Sequence, residues 1–153
     1  MDPLIEAVLR KDREGLRRRL ASASDVDVRD DDGRTALMHA AIEGDAEAVG
    51  LLIHAGADVN LSDNGGFTAL HFAVQEFRIE AARSLLASGA QVDPKDVFGN
   101  TPLAKAVFGS RGRGEMIRLL LAHGADKSLK NTHGVSPEDL AVKIANYDVA
   151  QFL

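Results

Sequence analysis

The chain contains no cysteine and no tryptophan. Without cysteine it can form no disulfide, and no thiolate can serve as a nucleophile or a metal ligand. No stretch approaches the roughly 18 consecutive apolar residues that a membrane-spanning helix requires. The opening MDPLIEAVLRKDREG carries acidic residues among its apolar ones and lacks the apolar core of a secretory signal. We therefore expect a cytoplasmic protein that does not contact a membrane.

Chemical motifs are also absent. The five histidines form no HExxH pair or other metal-ligand spacing, no serine lies in a nucleophile elbow, and no carboxylate pair stands out from the solvated ones. Eighteen basic and 23 acidic residues give a net charge of −5, which disfavours a dedicated nucleic-acid-binding protein. The sequence predicts a single domain, 1–153, with no enzymatic activity, no metal and no cofactor.

What the sequence does contain is a repeat of 33 residues. The glycines at 33, 66 and 99 keep this step, and so do the threonines at 35, 68 and 101. The next landmarks, Gly134 and Ser136, come 35 residues after their counterparts. Two residues have therefore been inserted, and the change of register lies between Ala106 and Glu115.

Each repeat predicts two helices. Thr35, Thr68, Thr101 and Ser136 are hydroxyl N-caps, and proline occupies the first helical position at 102 and 137. After a turn, a second helix has apolar residues at helical spacing, as in VGLLIH. The glycines in HAGAD, ASGAQ and AHGAD are expected to stop that helix in the left-handed conformation.

The segments TALHFAV, TPLAKAV, LLIHAGADVN and LLLAHGADKS closely resemble ankyrin repeats. The resemblance covers nearly the whole chain and implies an all-α repeat solenoid, with helix-turn-helix units joined by β-turn or hairpin loops. It divides the chain into an N-terminal capping unit (1–29), three full repeats (30–62, 63–95, 96–130) and a C-terminal capping unit (131–153). The sequence departs from the family signature where Met38 and Ala104 replace histidine and where Phe77 replaces the glycine between the helices.

The resemblance also implies a function without chemistry, the binding of a partner protein in a groove formed by turn tips and first helices. The turn-tip candidates are Asp31, Asp32, Arg34, Asn64, Phe67, Val97, Phe98, Asn100 and His133. The first-helix candidates are Glu43, Gln75, Glu76 and Phe108. We expect Phe67, Phe98 and Phe108 to be exposed anchors for a partner, or else to pack on each other or on an adjacent tip.

The inserted segment, FGSRGRGEM, invites other interpretations. A phosphate-binding loop would follow a strand and carry a lysine beside serine or threonine, and an arginine-glycine tract for nucleic acid would be longer and interleaved with aromatic residues. We interpret the segment as an elongated turn between two helices. Arg111 and Arg113 are candidate contacts for an acidic partner.

Two functional hypotheses follow. In the first, the protein is a monomer that binds a protein partner; its ending is similar to those of small bacterial ankyrin proteins, so an inhibitor or immunity-type protein for a toxin or effector is a narrower form of this hypothesis. In the alternative, it is a nucleic-acid-binding accessory protein. That role would use the Arg111/Arg113 loop and the basic residues of the N-terminal capping unit, which are Arg10, Lys11, Arg13, Arg17, Arg18 and Arg19.

Overall fold

The computed structural model describes residues 1–144 and 148–153, which form nine α-helices and one 3-10 turn. Contacts divide the chain into two compact units, Met1–Ala90 and Gln91–Leu153. The first unit contains α1 (Pro3–Leu9), α2 (Arg13–Ser22), α3 (Ala36–Glu43), α4 (Ala46–His54), α5 (Ala69–Gln75) and α6 (Ile79–Ala87). The second contains α7 (Pro102–Gly109), α8 (Glu115–Ala122), α9 (Pro137–Lys143) and the 3-10 turn Ala150–Phe152. None of the described helices is long and apolar enough to cross a bilayer.

The first unit has two layers of helices. Helix α3 packs between α1 and α5 in one layer, and α4 packs between α2 and α6 in the other. Each first helix also contacts the second helix of its own repeat. The apolar residues at helical spacing meet in a core that includes the fully buried Ile5, Leu16, Leu37, Leu52, Leu70 and Leu85. This is the packing that two-helix repeats need, because one repeat cannot bury its apolar face alone.

The second unit is built on the same plan with fewer helices. Helix α7 packs against both α8 and α9, and the 3-10 turn packs against α9. Leu103, Met116, Ile117 and Leu120 are fully buried in it. The all-helical repeat architecture predicted from the sequence is confirmed. The C-terminal capping unit predicted at 131–153 includes residues 145–147, which lie outside the described residues.

The predicted starts of the first helices and the predicted ends of the second helices are confirmed. The hydroxyls of Thr35, Thr68, Thr101 and Ser136 each accept a hydrogen bond from the backbone N–H three residues later. Proline occupies the first helical position of α1, α7 and α9. The second helices end at glycines in the left-handed conformation, with φ of 95° at Gly56, 87° at Gly89 and 88° at Gly124.

The turn between the two helices of a repeat also requires a left-handed residue. Gly44 supplies it in one repeat, with φ of 70°. Its counterparts 33 residues before and after, Lys11 and Phe77, adopt φ of 55° and 54°. A side chain with a Cβ pays roughly 1–2 kcal/mol for this conformation, whereas glycine does not. The departure of Phe77 from the family signature is thus accommodated without a change of fold, at a cost in backbone energy.

Replacing Lys11 by glycine should therefore stabilise the protein by up to about 1 kcal/mol, because the relief of backbone strain exceeds the added entropy of the unfolded chain. Lys11 is exposed and contributes only a 3.9 Å contact to Glu43. The measurement is the midpoint of urea unfolding. Arg10→Gly is the matched control, since Arg10 has a right-handed φ of −82° and the same substitution there should destabilise. Equal effects of the two substitutions would contradict this account.

Candidate functional site

The turns that precede the first helices are organised by a side chain that is not among the residues predicted from the sequence. In the second full repeat, Oδ1 of Asp63 accepts hydrogen bonds from the backbone N–H groups of Gly65 (2.8 Å) and Phe67 (2.9 Å). The same two bonds, to the second and fourth residues onward, are made by Asp30, Asp96 and Asn131. These positions keep the 33- and 35-residue spacing, so the signal was present in the sequence.

The other carboxylate oxygen of these aspartates contacts a different basic side chain in each repeat. Oδ2 of Asp30 lies 2.7 Å from Nε2 of His39, and Oδ2 of Asp96 lies 3.2 Å from Nζ of Lys105. The equivalent position in the intervening repeat is Phe72, which cannot make an ion pair. There Asp63 is contacted instead by Nε of Arg34, from the preceding turn, at 3.4 Å.

The bonds to Asp30 set its acidity. Burial raises the pKa of this carboxyl, but the hydrogen bonds from His39 and from the backbone N–H groups of Arg34 and Asp32 outweigh burial and hold its pKa below the ordinary range. A carboxyl with a lowered pKa stabilises the folded state above its unfolded pKa, and this stabilisation is lost as the pH falls through the folded pKa. Asp30 is therefore a carboxylate at neutral pH, with its Oδ2 within hydrogen-bond distance of His39.

Arg34 and Phe72 lie together in a cleft between two turns of the first unit, which we call the turn cleft. The guanidinium of Arg34 lies over the ring of Phe72, 5.0 Å from its centroid, and Phe72 stacks on Phe67 at 5.4 Å. The cleft has a volume of about 300 Å³. Its lining residues are Asp32, Arg34, Asp63, Asn64, Gly65, Phe67, Phe72 and Gln75. Asp32, Arg34, Asn64, Phe67 and Gln75 were proposed from the sequence as partner-binding residues.

The three phenylalanines expected to be exposed do not behave alike. Phe98 and Phe108 are 56% and 76% exposed. Phe67 is half-buried, because its ring stacks on Phe72 and lies 5.6 Å from His71. Phe67 is thus less exposed than the other two rings, and its ring contacts the first helix of its own repeat.

The remaining candidates in the first unit lie near the turns or at helix ends. Asp31 is exposed, and its carbonyl oxygen accepts a hydrogen bond from the side-chain amide of Asn64 at 3.2 Å. Glu76 follows α5 and accepts a hydrogen bond from Gln75 at 3.4 Å. Glu43, at the end of α3, contacts Lys11 at 3.9 Å. Of these, Asp31 lies next to the turn cleft through its backbone, because it precedes Asp32 and its carbonyl oxygen is bonded to Asn64, and both of those residues line the cleft.

In the second unit, Val97 and Phe98 form an exposed apolar tip, with 58% and 56% of their surface accessible. The carbonyl oxygen of Phe98 accepts hydrogen bonds from the backbone N–H and the hydroxyl of Thr132, both at 3.0 Å. Asn131 donates to the side chain of Asn100 at 3.0 Å, so Asn100 joins two turns. His133 is exposed beside Thr132. The tip is therefore held rigidly by the neighbouring turn.

The six basic residues predicted in the N-terminal capping unit are largely paired with acidic side chains. Arg13 contacts Asp45 and, at 3.1 Å, Glu47, and Arg17 contacts Glu47 at 2.8 Å. Arg10 pairs with Glu6 at 2.9 Å. Among the described residues, only Arg18 and Arg19 of the predicted basic set form no ion pair with an acidic residue. Neighbouring carboxylates therefore partly offset the positive charge of this set.

The glycine-rich segment connects two helices, as predicted, since α7 ends at Gly109 and α8 begins at Glu115. Arg111 and Gly112 have φ of 49° and 80°. Arg113 donates from Nε to the carbonyl oxygen of Ser110 at 3.2 Å, while Arg111 is exposed. Gly114 lies against the ring of Phe152, so at least one glycine is required by packing and not only by loop flexibility.

The fold is that of a helical repeat protein, with two-helix units packed in layers. In the turns before the first helices, an aspartate or asparagine side chain accepts two backbone hydrogen bonds. Polar and aromatic side chains lie on these turns. A family model described as ankyrin repeats (3 copies) matches residues 4–96 and 79–153, and the chain belongs to the ankyrin-repeat family. Members of this family are generally protein–protein interaction modules. The sequence matches no curated protein.

Proposed function

We propose that this protein acts without chemistry by binding a partner protein, and that the turn cleft is the anchoring site. The family to which it belongs supports the first part of the proposal. The second part rests on one observation: an arginine, two phenylalanines and two carboxylates line a single cleft. Arginine and aromatic side chains are the types that most often carry binding energy at protein interfaces.

The turn cleft is held in place before any partner arrives. Arg34 is fixed by Asp63, whose side chain is 5% exposed, and by the ring of Phe72. Asn64 is tied to the preceding turn, where its backbone N–H donates to the carbonyl oxygen of Asp32 at 3.0 Å. Immobilising a side chain at an interface costs roughly 0.5–1.5 kcal/mol, and a site whose side chains are already ordered avoids that cost.

We propose further partner contacts on the second unit, in addition to the turn cleft. The exposed Val97–Phe98 tip is an apolar patch on a rigid turn, and we propose it as an additional contact. Phe108, Arg111, Arg113 and His133 remain candidates on the same unit because they are exposed. Asn100 contributes by holding the tip in place.

A narrower role, as an inhibitor or immunity-type protein that neutralises a toxin or effector, is a special case of this proposal. We also propose that the protein acts as a monomer and that it is located in the cytoplasm. A purified partner would test the inhibitor role directly, because its activity should fall as this protein is added and reach its minimum at a fixed stoichiometry.

The proposal is tested by placing a photo-crosslinking amino acid at Asn64, in the turn cleft, and separately at Arg83. Arg83 is exposed on α6 and is the matched control. We expect a discrete crosslinked protein from position 64 and none from position 83, when each variant is expressed in the organism of origin. The crosslinked protein is then purified for binding measurements. Equal crosslinking from both positions would refute the cleft as the anchor.

With that purified partner, Phe67→Ala should weaken binding at least about tenfold, as expected for a truncated interface anchor. Arg83→Ala should leave affinity unchanged. Because Phe67 stacks on Phe72, binding is measured at a temperature where circular dichroism shows the variant folded. Unchanged affinity in a folded Phe67→Ala protein would contradict the proposed anchor.

A further inference from the structure

The rim of the turn cleft has an excess of negative charge. Asp32 is 71% exposed at its side chain and lies 3.7 Å from Nη1 of Arg34. Arg34 also contacts Asp63 at 3.4 Å, so a single guanidinium faces two carboxylates. Asp31, the sequence neighbour of Asp32, is exposed, forms no ion pair with any described residue and adds a further negative charge to the same turn. Arg34 is neutralised within the protein, and the net charge offered to a partner is negative.

The cleft also offers an apolar surface next to this charge. The half-buried ring of Phe67 and the stem of Arg34 line it, and the side chains of Asn64 and Gln75 are exposed at its edge. A lysine or arginine side chain suits such a surface, because its aliphatic stem packs on apolar atoms while its charged end reaches a carboxylate. An aromatic ring beside the carboxylates adds a cation–π contribution.

We infer that the partner presents a basic segment to the turn cleft, with lysine or arginine side chains that lie against Phe67 and pair with Asp31 and Asp32. This inference rests on the proposed function and adds the chemistry of the partner. An acidic segment would face the two exposed carboxylates, while Arg34 is held by Asp63 and Asp32 and the guanidinium of Arg29 donates to the carbonyl oxygens of Gly33 and Ser62 at 3.0 and 2.6 Å. Charge complementarity of this kind sets partner choice and association rate more than total affinity.

The first experiment needs no knowledge of the partner. The full chain, labelled with ¹⁵N, is titrated at low ionic strength with two matched peptides, acetyl-KKFKK-amide and acetyl-EEFEE-amide. We expect the basic peptide to shift the amide resonances of residues 31–34, 64–67 and 75, and the acidic peptide to leave them in place. Shifts from the basic peptide that are spread over all acidic surfaces, or equal shifts from the acidic peptide, would overturn the inference.

Variants locate the charge that matters. Asp31→Asn with Asp32→Asn removes two negative charges at the rim and should weaken binding of the basic peptide about threefold or more. Glu14→Gln with Glu80→Gln removes the same charge from exposed positions on α2 and α6 and should change it by less than about twofold. Equal weakening by the two double variants would show that only net charge acts, and the inference would fail.

The crosslinked partner separates failure of this inference from failure of the proposed function. If the partner binds at the cleft and Asp31→Lys with Asp32→Lys slows its association at low salt, both stand. If it binds at the cleft and the lysine variant associates as fast or faster, the function stands and the basic segment is refuted. If nothing crosslinks at position 64, the turn cleft is not the anchoring site, and the second part of the proposed function fails.

Discussion

Alanine in place of Asp63 should destabilise the protein by about 3 kcal/mol, the largest effect we expect from any single turn residue. The carboxylate accepts backbone N–H groups from Gly65 and Phe67 and contacts Arg34, and it is nearly inaccessible to water. Hydrogen bonds to a charged group contribute roughly 1.5–3 kcal/mol, and leaving a buried donor unsatisfied costs a comparable amount. Alanine would leave two amides without their acceptor and would remove the closer of the two carboxylates that face Arg34. The measurement is the free energy of unfolding in urea.

The matched control is Asp63→Asn, which the chain itself suggests. Asn131 occupies the equivalent position in a later turn and accepts the same two backbone hydrogen bonds, at 2.9 and 3.0 Å. Asparagine at 63 should therefore keep the turn and lose only the contact with Arg34, so its cost should be well under half that of alanine. If the two variants were equally destabilised, the ion pair and not the turn would be the main contribution.

The fold could be predicted because its determinants are local and repeated. A hydroxyl residue at a helix start and a glycine after a helix end have the same physical effect in any surroundings, so the caps at Thr35, Thr68 and Thr101 and the stops at Gly56, Gly89 and Gly124 were readable from the sequence. Repetition at a fixed spacing then fixed which segments correspond. Asp30, Asp63 and Asp96, whose side chains each accept two backbone hydrogen bonds in their turns, have the same spacing and could have been found in the same way.

The candidate site was predictable only in outline. Its residues were placed on the turns by the repeat register, but the burial of Phe67 depends on Phe72 standing where the neighbouring repeats have His39 and Lys105. Phe72 offers Asp63 no basic side chain within its own repeat. Asp63 is contacted instead by Arg34, which lies 29 residues earlier in the preceding turn. A consensus pattern describes what repeats share, whereas this contact arises from what one repeat lacks.

Gly114 shows the same limitation and leads to the second prediction of large effect. A Cβ added there would overlap Cδ1 of Phe152 and lie 2.6 Å from its Cγ, and the same ring lies under the guanidinium of Arg118 at 4.8 Å. Gly114→Ala must therefore displace the ring. Inserting an atom into a filled space typically costs 1–3 kcal/mol, and we expect about 2 kcal/mol here. The expected result is a lower unfolding midpoint and altered ring resonances of Phe152.

Two controls distinguish this overlap from a general need for glycine in the loop. Gly109 has open space around its would-be Cβ and no left-handed φ, so Gly109→Ala should leave stability unchanged or slightly raised. In a Phe152→Ala background the added methyl at 114 meets no ring, so Gly114→Ala should cost almost nothing there. A coupling energy of about 1.5 kcal/mol or more between positions 114 and 152 would identify the overlap as the cause. Additive effects would instead mean that the backbone at Gly114, and not the ring against it, requires glycine.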